Sequence, residues 1–234
     1  MRWLRRGRDE GAGTDFAAAA ERMVETQLVP RGIRDEEVLD AMRRVPRHRF
    51  VPANEKGAAY SDNALPIGRG QTISQPFIVA LMTQALALAA WRAAHPERPP
   101  RVLDVGTGSG YQAAVMAEMG AQVVSIERDA ELAATAGKVL AELGYEVEVI
   151  VGDGSAGVPE RAPYAAITVA AASPEVPVPL VEQLEPDGRL VIPVGSRWEQ
   201  RLVVVQPTEG GFSTRPLEAA VFVPLVGRFG FREG

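Results

Sequence analysis

The sequence predicts an α/β protein: a doubly wound, mostly parallel sheet with an N-terminal helical cover and a C-terminal antiparallel hairpin. Three observations carry the prediction. From Arg101 onward, apolar runs near 101–105, 122–127, 146–151, 166–170 and 189–194 alternate with helical stretches near 111–119, 129–143 and 177–184, the rhythm of a parallel sheet covered on both faces. The first of these runs enters a glycine-rich turn, Gly106-Thr107-Gly108-Ser109-Gly110, which opens a helix near Tyr111. Finally, the strand-like runs Arg201–Val205 and Glu218–Val223 are joined across Glu209-Gly210-Gly211, so the chain finishes in a hairpin rather than another crossover.

The elements before the sheet follow in order. Residues 1–13 are small and charged without periodicity and read as a frayed tail. Phe16, Ala19, Ala20, Met23, Val24, Gln27 and Leu28 then recur at helical spacing until Arg31-Gly32. Asp35 can cap a second short helix with Val38, Leu39 and Met42 on one face, stopped by Pro46. Both helices precede the first strand, which places them on the rim of the sheet as a cover. Phe50 to Ile73 shows no sustained period, and a loop of that length is more often functional than idle. It ends in Gly70-Gln71-Thr72-Ile73-Ser74-Gln75-Pro76, after which Phe77 to Ala94 reads as one long apolar helix with Pro76 as its first residue. Gln75 is then the cap and the Ser74 hydroxyl is left outside the helix; spacing alone favours the plainer alternative, with Ser74 itself as the cap.

A length of 234 residues suits one domain, with 14–100 as helical cover and loop and 101–234 as the sheet, and 46% apolar with 24% charged residues is ordinary for a water-soluble chain. The net charge of −5, with cations scattered apart from Arg2, Arg5, Arg6 and Arg8, argues against nucleic acid as a partner. Those arginines run into Gly7-Arg8-Asp9-Glu10-Gly11 without the apolar segment of a secretory leader. The longest apolar run, Phe77 to Ala90, is interrupted by Thr83 and Gln84 and is read as too short to span a bilayer. A cytoplasmic protein without a membrane partner is the expectation. The absence of cysteine removes disulfides, thiol catalysis and thiolate metal sites. His48 and His95 lie in unlike contexts that suggest neither a zinc site nor a serine–histidine triad, so no metal is expected.

Glycines at alternate positions of the turn permit positive φ and let a ligand approach the backbone closely, while the following helix start offers unpaired amides. Right-handed crossovers bring this turn, Glu127, Asp153-Gly154 and Ala170-Ala171-Ala172 to the carboxyl edge of the sheet. Glu127 falls seventeen residues after Gly110 at the end of the second strand, where a carboxylate can hold a ribose diol, so the ligand is expected to contain adenosine. Asp153 could accept from an adenine amino group or simply form an Asp-Gly turn. A nicotinamide dinucleotide is the rival ligand, but its fingerprint is G-x-G-x-x-G, and here Gly110 comes one step early with bulky Tyr111 behind it. Asp104, two residues before the first glycine, would pair with an amino-acid ammonium and repel a pyrophosphate. Both details favour S-adenosylmethionine.

Taken together these segments resemble the protein-L-isoaspartate O-methyltransferases, from about Arg22 to Leu225. The likeness is carried by Arg22-Met23-Val24-Glu25, Arg44-Val45-Pro46-Arg47, Phe50-Val51-Pro52, the Gly70 to Pro76 segment, Asp104 to Tyr111, Gly152-Asp153-Gly154, Gly188 to Gly195, and Phe222-Val223-Pro224-Leu225. Thr72-Ile73-Ser74-Gln75-Pro76 is the stretch most particular to the family.

The resemblance implies a Rossmann-like class I methyltransferase that moves the methyl of S-adenosylmethionine to the α-carboxylate of L-isoaspartyl residues in damaged proteins and peptides. The ester then collapses to a succinimide whose hydrolysis returns part of the material to normal aspartate, hence repair. The resemblance further implies Ser74 as the catalytic residue. Around the cofactor it implies Thr72, Ile73, Ser74, Gln75, Asp104, Gly106, Thr107, Gly108, Gly110, Tyr111, Glu127, Arg128, Asp153 and Gly154, and at the peptide Ile67, Val223, Pro224 and Leu225. A monomer is expected. The alternatives are the same chemistry dedicated to one peptide partner, or a non-enzymatic S-adenosylmethionine-binding module. Where the family usually has an aspartate and a glycine, this chain has Ala165 and Asp187.

Overall fold

The computed structural model describes residues 15–232, so the tail expected over 1–13 lies outside the described residues. Helix α1 (Phe16–Met23) starts at Asp15, whose carboxylate accepts the Ala18 N–H at 3.0 Å, and α2 (Glu36–Arg44) starts at Asp35, which accepts from Glu37 and Val38. Such caps satisfy amides that have no partner within the helix. The first helix does not stop at Met23 but continues as a π-helical turn over Val24–Leu28, ending at Gly32 with φ 93. Val38, Leu39 and Met42 are buried on the predicted face of α2.

The segment read as an irregular loop is more ordered than its pattern suggests. It holds a 3₁₀ turn (Ala53–Ala58) and an antiparallel hairpin of β1 (Leu65–Gly68) and β2 (Gln71–Ile73), with Gly68, Arg69 and Gly70 all at positive φ around its tip. Strands of four and three residues are too short for alternation to show in a sequence.

Two helices, α3 (Pro76–Leu86) and α4 (Leu88–Ala94), replace the single one expected. Ala87 between them is left-handed (φ 54), and its N–H bonds the Gln84 carbonyl. Neither glycine nor proline marks that break. It turns α4 so that Trp91 Nε1 donates to Glu185 at 3.2 Å. The stretch Pro76–Ala94 spans 19 residues and holds an 18-residue window of mean hydropathy 1.5, which corrects the length argument against a membrane span; but 56% of that window is buried in the fold, and Ala87 interrupts the stretch. The two polar residues in its midst are committed to neighbours. Thr83 Oγ1 accepts from Gln112 at 2.7 Å, and Gln84 Oε1 accepts the Arg34 and Asp35 amides.

The main sheet has seven strands in the order β5-β4-β3-β6-β7-β8-β9. Strands β3 (Arg101–Val105), β4 (Gln122–Glu127), β5 (Val147–Val151), β6 (Tyr164–Val169) and β7 (Leu184–Gly195) are parallel, while β8 (Gln200–Thr208) and β9 (Gly211–Ala220) are antiparallel additions. Helices α5 (Tyr111–Glu118), α6 (Ala130–Glu142) and α7 (Val178–Glu182) fill the crossovers. The strand order reverses at β3, so the connections after β3 and β6 part in opposite directions and open a crevice at the carboxyl edge. The hairpin is longer than predicted, and β9 begins at Gly211, leaving residues 221–223 outside the sheet. As the exposed edge strand, β9 shows no apolar alternation that could have announced it, and an edge tolerates its Pro216.

Alternate residues serve the two faces. Val102, Val123 and Val191 pack with the helical cover, whereas Leu103, Val105, Val124, Ile126 and Leu190 share a core with Leu180 and Val181 of α7. Each such buried side chain stabilises the fold by about 1.5–3 kcal/mol. Two full cores hold the β3–β6 crevice rigid from both sides.

Candidate active site

The crevice is walled by the glycine turn after β3, the end of β4, Ala170-Ala171 after β6, β2 with Ser74, and Val223 to Val226. That last segment is stitched in by the backbone: Ala172 N–H bonds the Val223 carbonyl at 2.8 Å and Leu225 N–H bonds the Ala172 carbonyl at 2.7 Å. Of the residues expected at the site, Thr72, Ile73, Ser74, Gly106, Thr107, Gly108, Tyr111, Glu127, Arg128, Gly154, Val223, Pro224 and Leu225 line this one pocket. Gly106 and Gly108 adopt φ 91 and 52, the left-handed region that favours glycine. A Cβ on Gly108 would stand 3.6 Å from Ile67 Cδ1, so Ile67 abuts the glycine turn rather than lining the pocket.

Besides Ile67, four expected residues lie outside the pocket lining, Asp104, Asp153, Gly110 and Gln75. Asp104 is fully buried beneath the turn, because the register sets it opposite Ser125 on β4. Ser125 Oγ donates to Asp104 Oδ2 at 2.8 Å and lies 2.6 Å from Thr107 Oγ1, so Asp104 communicates with the pocket only through Ser125 and Thr107. Direct pairing of Asp104 with a ligand ammonium is therefore corrected, and Thr107 is the member of this chain of hydrogen bonds that lines the pocket. Burial pushes the Asp104 carboxyl up to about 7, the Ser125 hydrogen bond opposes this, and the charge of Glu127 adds to it. Asp153 does not reach the pocket either. Its Oδ1 accepts from the Ser155 N–H and hydroxyl at 2.9 and 2.7 Å, and its Oδ2 accepts the Arg228 N–H at 2.8 Å. The plain Asp-Gly turn is the one observed, with the C-terminal segment anchored to it. Burial acts to raise the Asp153 pKa, and the hydrogen bonds from Arg228 and Ser155 outweigh it and leave it lowered.

Gly110 is a packing glycine: a Cβ there would meet Leu140 Cδ1 at 3.2 Å and Ala136 Cβ at 3.3 Å, so it lets α5 close on α6. Gln75 caps α3 by position only, without a side-chain hydrogen bond. Glu127 does border the pocket, but its carboxylate is also a brace. Oε2 accepts the Gly108 N–H at 2.9 Å and Oε1 the Asp129 N–H at 3.0 Å.

Ser74 lines the pocket, and α3 forms no side-chain capping bond, so the plainer reading of Ser74 as a helix cap is overturned. Its carbonyl accepts from Arg47 Nη2 at 2.7 Å. Arg47 was quoted for the family likeness but given no place in the site. It is 0% exposed, donates from Nε to the Ala59 carbonyl at 2.6 Å, and lies 4.8 Å from the centre of the Tyr111 ring. An arginine just after a helix-stopping proline carries no signal of burial. Gln71, Val79, Met82, Gln112, Ile126 and Val226 also line the pocket without having been singled out; Val79 and Met82 share a face of α3 at helical spacing. At the hairpin tip, Arg69 pairs with Asp129 at 2.8 Å and ties the hairpin to the start of α6.

Among the described residues, His95, Glu185 and Asp187 bring possible metal-ligand atoms within 4.8 Å of one another, away from the pocket. Glu185 is already held by both terminal nitrogens of Arg98 at 3.0 Å and by Trp91, which leaves it a poor ligand.

The pocket chemistry fits an adenosyl amino acid. A Cβ-free cradle, a carboxylate at the ribose position, and a Thr107–Ser125 relay ending at Asp104 Oδ2 suit a ligand that is both sugar and ammonium. Fold and site together define the class of Rossmann-like methyltransferases. Within it, the chain belongs to the protein-L-isoaspartate(D-aspartate) O-methyltransferase (PCMT) family, whose model matches residues 18–230. It is 54% identical over 213 residues to the protein-L-isoaspartate O-methyltransferase of Methanoculleus marisnigri, covering 91% of this chain and 93% of that one. The corresponding Methylorubrum extorquens protein is 54% identical over 214 residues, 91% of this chain and 90% of its own. A solved protein-L-isoaspartate O-methyltransferase superposes with TM-score 0.79 at 28% identity, over 90% of this chain and 67% of that one. A Plasmodium falciparum β-aspartate methyltransferase in complex with S-adenosyl-L-homocysteine superposes with TM-score 0.73 at 25% identity, over 92% of this chain and 99% of its own.

Proposed function

We propose that the protein methylates the α-carboxylate of L-isoaspartyl residues in damaged proteins and peptides, and that Ser74 orients that carboxylate. The observation that carries the proposal is Ser74, which lines the pocket without serving as a helix cap. S-adenosylmethionine supplies a methyl group on a positively charged sulfur and leaves as the neutral thioether. The chain's own task is positional. A carboxylate is ionised at neutral pH, so no strong base is required, and holding one oxygen in line while excluding water can supply several kcal/mol of the barrier, on the order of 5 or more. Gly106, Gly108 and Glu127 seat the donor; Thr72 and Ile73 cover it; Ser74 donates to the peptide carboxylate; Val223, Pro224 and Leu225 line the wall where the peptide backbone lies.

The whole chain acts as one unit in this reading, with 14–100 supplying the cover and 101–234 the sheet. It works as a cytoplasmic monomer without nucleic-acid or membrane partners, a view supported by the net charge of −5 and by the burial of its one long apolar stretch. The deciding experiment compares methyl transfer to an L-isoaspartyl peptide and its L-aspartyl twin. In the twin the carboxylate sits one methylene further from the backbone, and a misplacement of about 1 Å costs on the order of a hundredfold in rate. Comparable methylation of both isomers would overturn the assignment. Activity confined to one flanking sequence would point to a dedicated partner rather than general repair.

A further inference from the structure

We propose that Arg47 is a positioning residue of the peptide site: a permanent positive charge, shut off from water behind Ser74 and Tyr111, that draws the substrate carboxylate to Ser74. The proposal rests on the isoaspartyl reading. Three observations lead to it. Arg47 is 0% exposed, and its two hydrogen bonds go to neutral carbonyls, those of Ala59 and Ser74. Its Nη1 meets no hydrogen-bond acceptor in good geometry, although the Tyr111 side chain sits against the guanidinium and acts on it. Among the described residues no carboxylate lies within ion-pair distance of it; Asp62, the acid that acts on it through space, is paired with Arg31.

A buried cation without an anion is costly, since burial strips its hydration and two neutral carbonyls and an aromatic ring replace it only in part. Burial accordingly lowers the Arg47 pKa, with Tyr111 opposing; a guanidinium nevertheless stays charged in proteins. Two carbonyls alone do not call for such a group, because a neutral donor would serve them. Ser74 and Tyr111 both line the pocket, so the charge stands one layer behind the wall where the substrate carboxylate is expected. In the protein interior its field at that position is stronger than the same charge would exert through water.

The charge balance of the reaction sets what this field can do. As oxygen bonds to the methyl carbon and the carbon–sulfur pair departs with sulfur, the carboxylate becomes a neutral ester. A fixed positive charge therefore favours the bound peptide more than the transition state. Its removal should therefore raise KM and leave kcat unchanged or somewhat higher, because what is lost is mainly ground-state binding.

Arg47→Met and Arg47→Lys test this, with isoaspartyl peptide kinetics and calorimetry of S-adenosylhomocysteine binding. Arg47→Met should raise the peptide KM at least about tenfold with kcat changed less than about threefold, and Arg47→Lys should recover most of the loss. S-adenosylhomocysteine affinity should hold within about twofold. If kcat, cofactor affinity and melting temperature fall together while KM rises, and lysine restores none of them, Arg47 is merely structural and the proposal is overturned. Should neither variant fold, the wild-type S-adenosylhomocysteine complex serves, titrated with an isoaspartyl peptide and with its neutral α-carboxamide. The carboxylate should bind at least about tenfold tighter, and the preference should survive about 0.5 M salt, which screens the exposed Arg128 but not a buried charge. Equal affinities, or a preference erased by salt, overturn the proposal. Absence of transfer by the wild type removes the isoaspartyl reading and the proposal with it, whereas transfer with unsplit constants removes the proposal alone.

Discussion

On the sheet side of the crevice the carboxylates are committed to the chain itself. Glu127 holds the Gly108 and Asp129 amides, Asp153 holds Ser155 and Arg228, and Asp104 accepts from Ser125, leaving only its Oδ1 over. On the opposite side part of the polar capacity is uncommitted, although Arg47 also bonds the Ala59 and Ser74 carbonyls. Ser74 caps nothing, and Arg47 carries a full charge with an Nη1 that meets no hydrogen-bond acceptor in good geometry. One wall is thus shaped before any ligand arrives, which spares the cost of ordering it on binding. The other keeps hydrogen-bonding capacity and charge in reserve for a substrate that changes from one damaged protein to the next.

The comparison breaks most easily at the glycine turn. Gly108→Val forces a β-branched residue into φ 52 between the Gly106 carbonyl and Ile67, in a turn shaped for close ligand approach. Affinity for S-adenosylhomocysteine should fall by more than about a hundredfold, or ~2.7 kcal/mol, in a calorimetric titration. Retained binding would mean the turn is not the cradle. A smaller effect of a different kind is expected across the crevice. Ser74→Ala should lower turnover by roughly ten- to a hundredfold, about 1.4–2.7 kcal/mol of transition-state stabilisation, with cofactor affinity and melting temperature nearly unchanged. A mutant that keeps its activity but melts earlier would return Ser74 to the role of a cap.

Glu127→Ala sharpens the contrast, because a brace and a ligand contact are lost together. Cofactor affinity should weaken by roughly tenfold, as expected for hydrogen bonds to a charged group, and thermal stability should fall with it. If affinity falls while the melting temperature stays put, Glu127 contacts the ligand without supporting the turn.

The legible part of this molecule was what repeats or punctuates. The β/α rhythm after Arg101, the glycine turn and the Asp35 cap all announce themselves through periodicity or special backbone needs. Less legible were features decided by what a chain segment meets in space. Ala87 breaks a helix with no residue type that marks it, and β1 and β2 are too short to alternate. Asp104 and Asp153 stand at the right places in the motif, but strand register and the returning 227–229 segment turn them inward. Ser74 illustrates both sides: spacing favoured a cap, the family likeness favoured the active site, and the packed fold removes the cap while setting Ser74 at the pocket wall.

Asp104 offers the subtlest test, since it concerns a carboxyl that never reaches the pocket. Its pKa stands near 7 in the folded protein against an ordinary 3.8, chiefly because burial disfavours the charged form. Between those values the folded chain binds a proton that the unfolded chain has released. The stability this group contributes is therefore fully present below about pH 4 and is lost as pH rises through about 7. Asp104→Asn removes the titration while keeping an oxygen that can accept from Ser125. The stability of wild type relative to Asp104→Asn, measured by urea unfolding from pH 4.5 to pH 8.5, should decline with rising pH, no more steeply than about 1.4 kcal/mol per pH unit, and level off above about pH 8. A level difference over that whole range would show Asp104 to be ionised throughout. The relay through Ser125 and Thr107 would then end in a full negative charge, and the sheet side of the crevice would hold an unspent group after all, much as the opposite wall does.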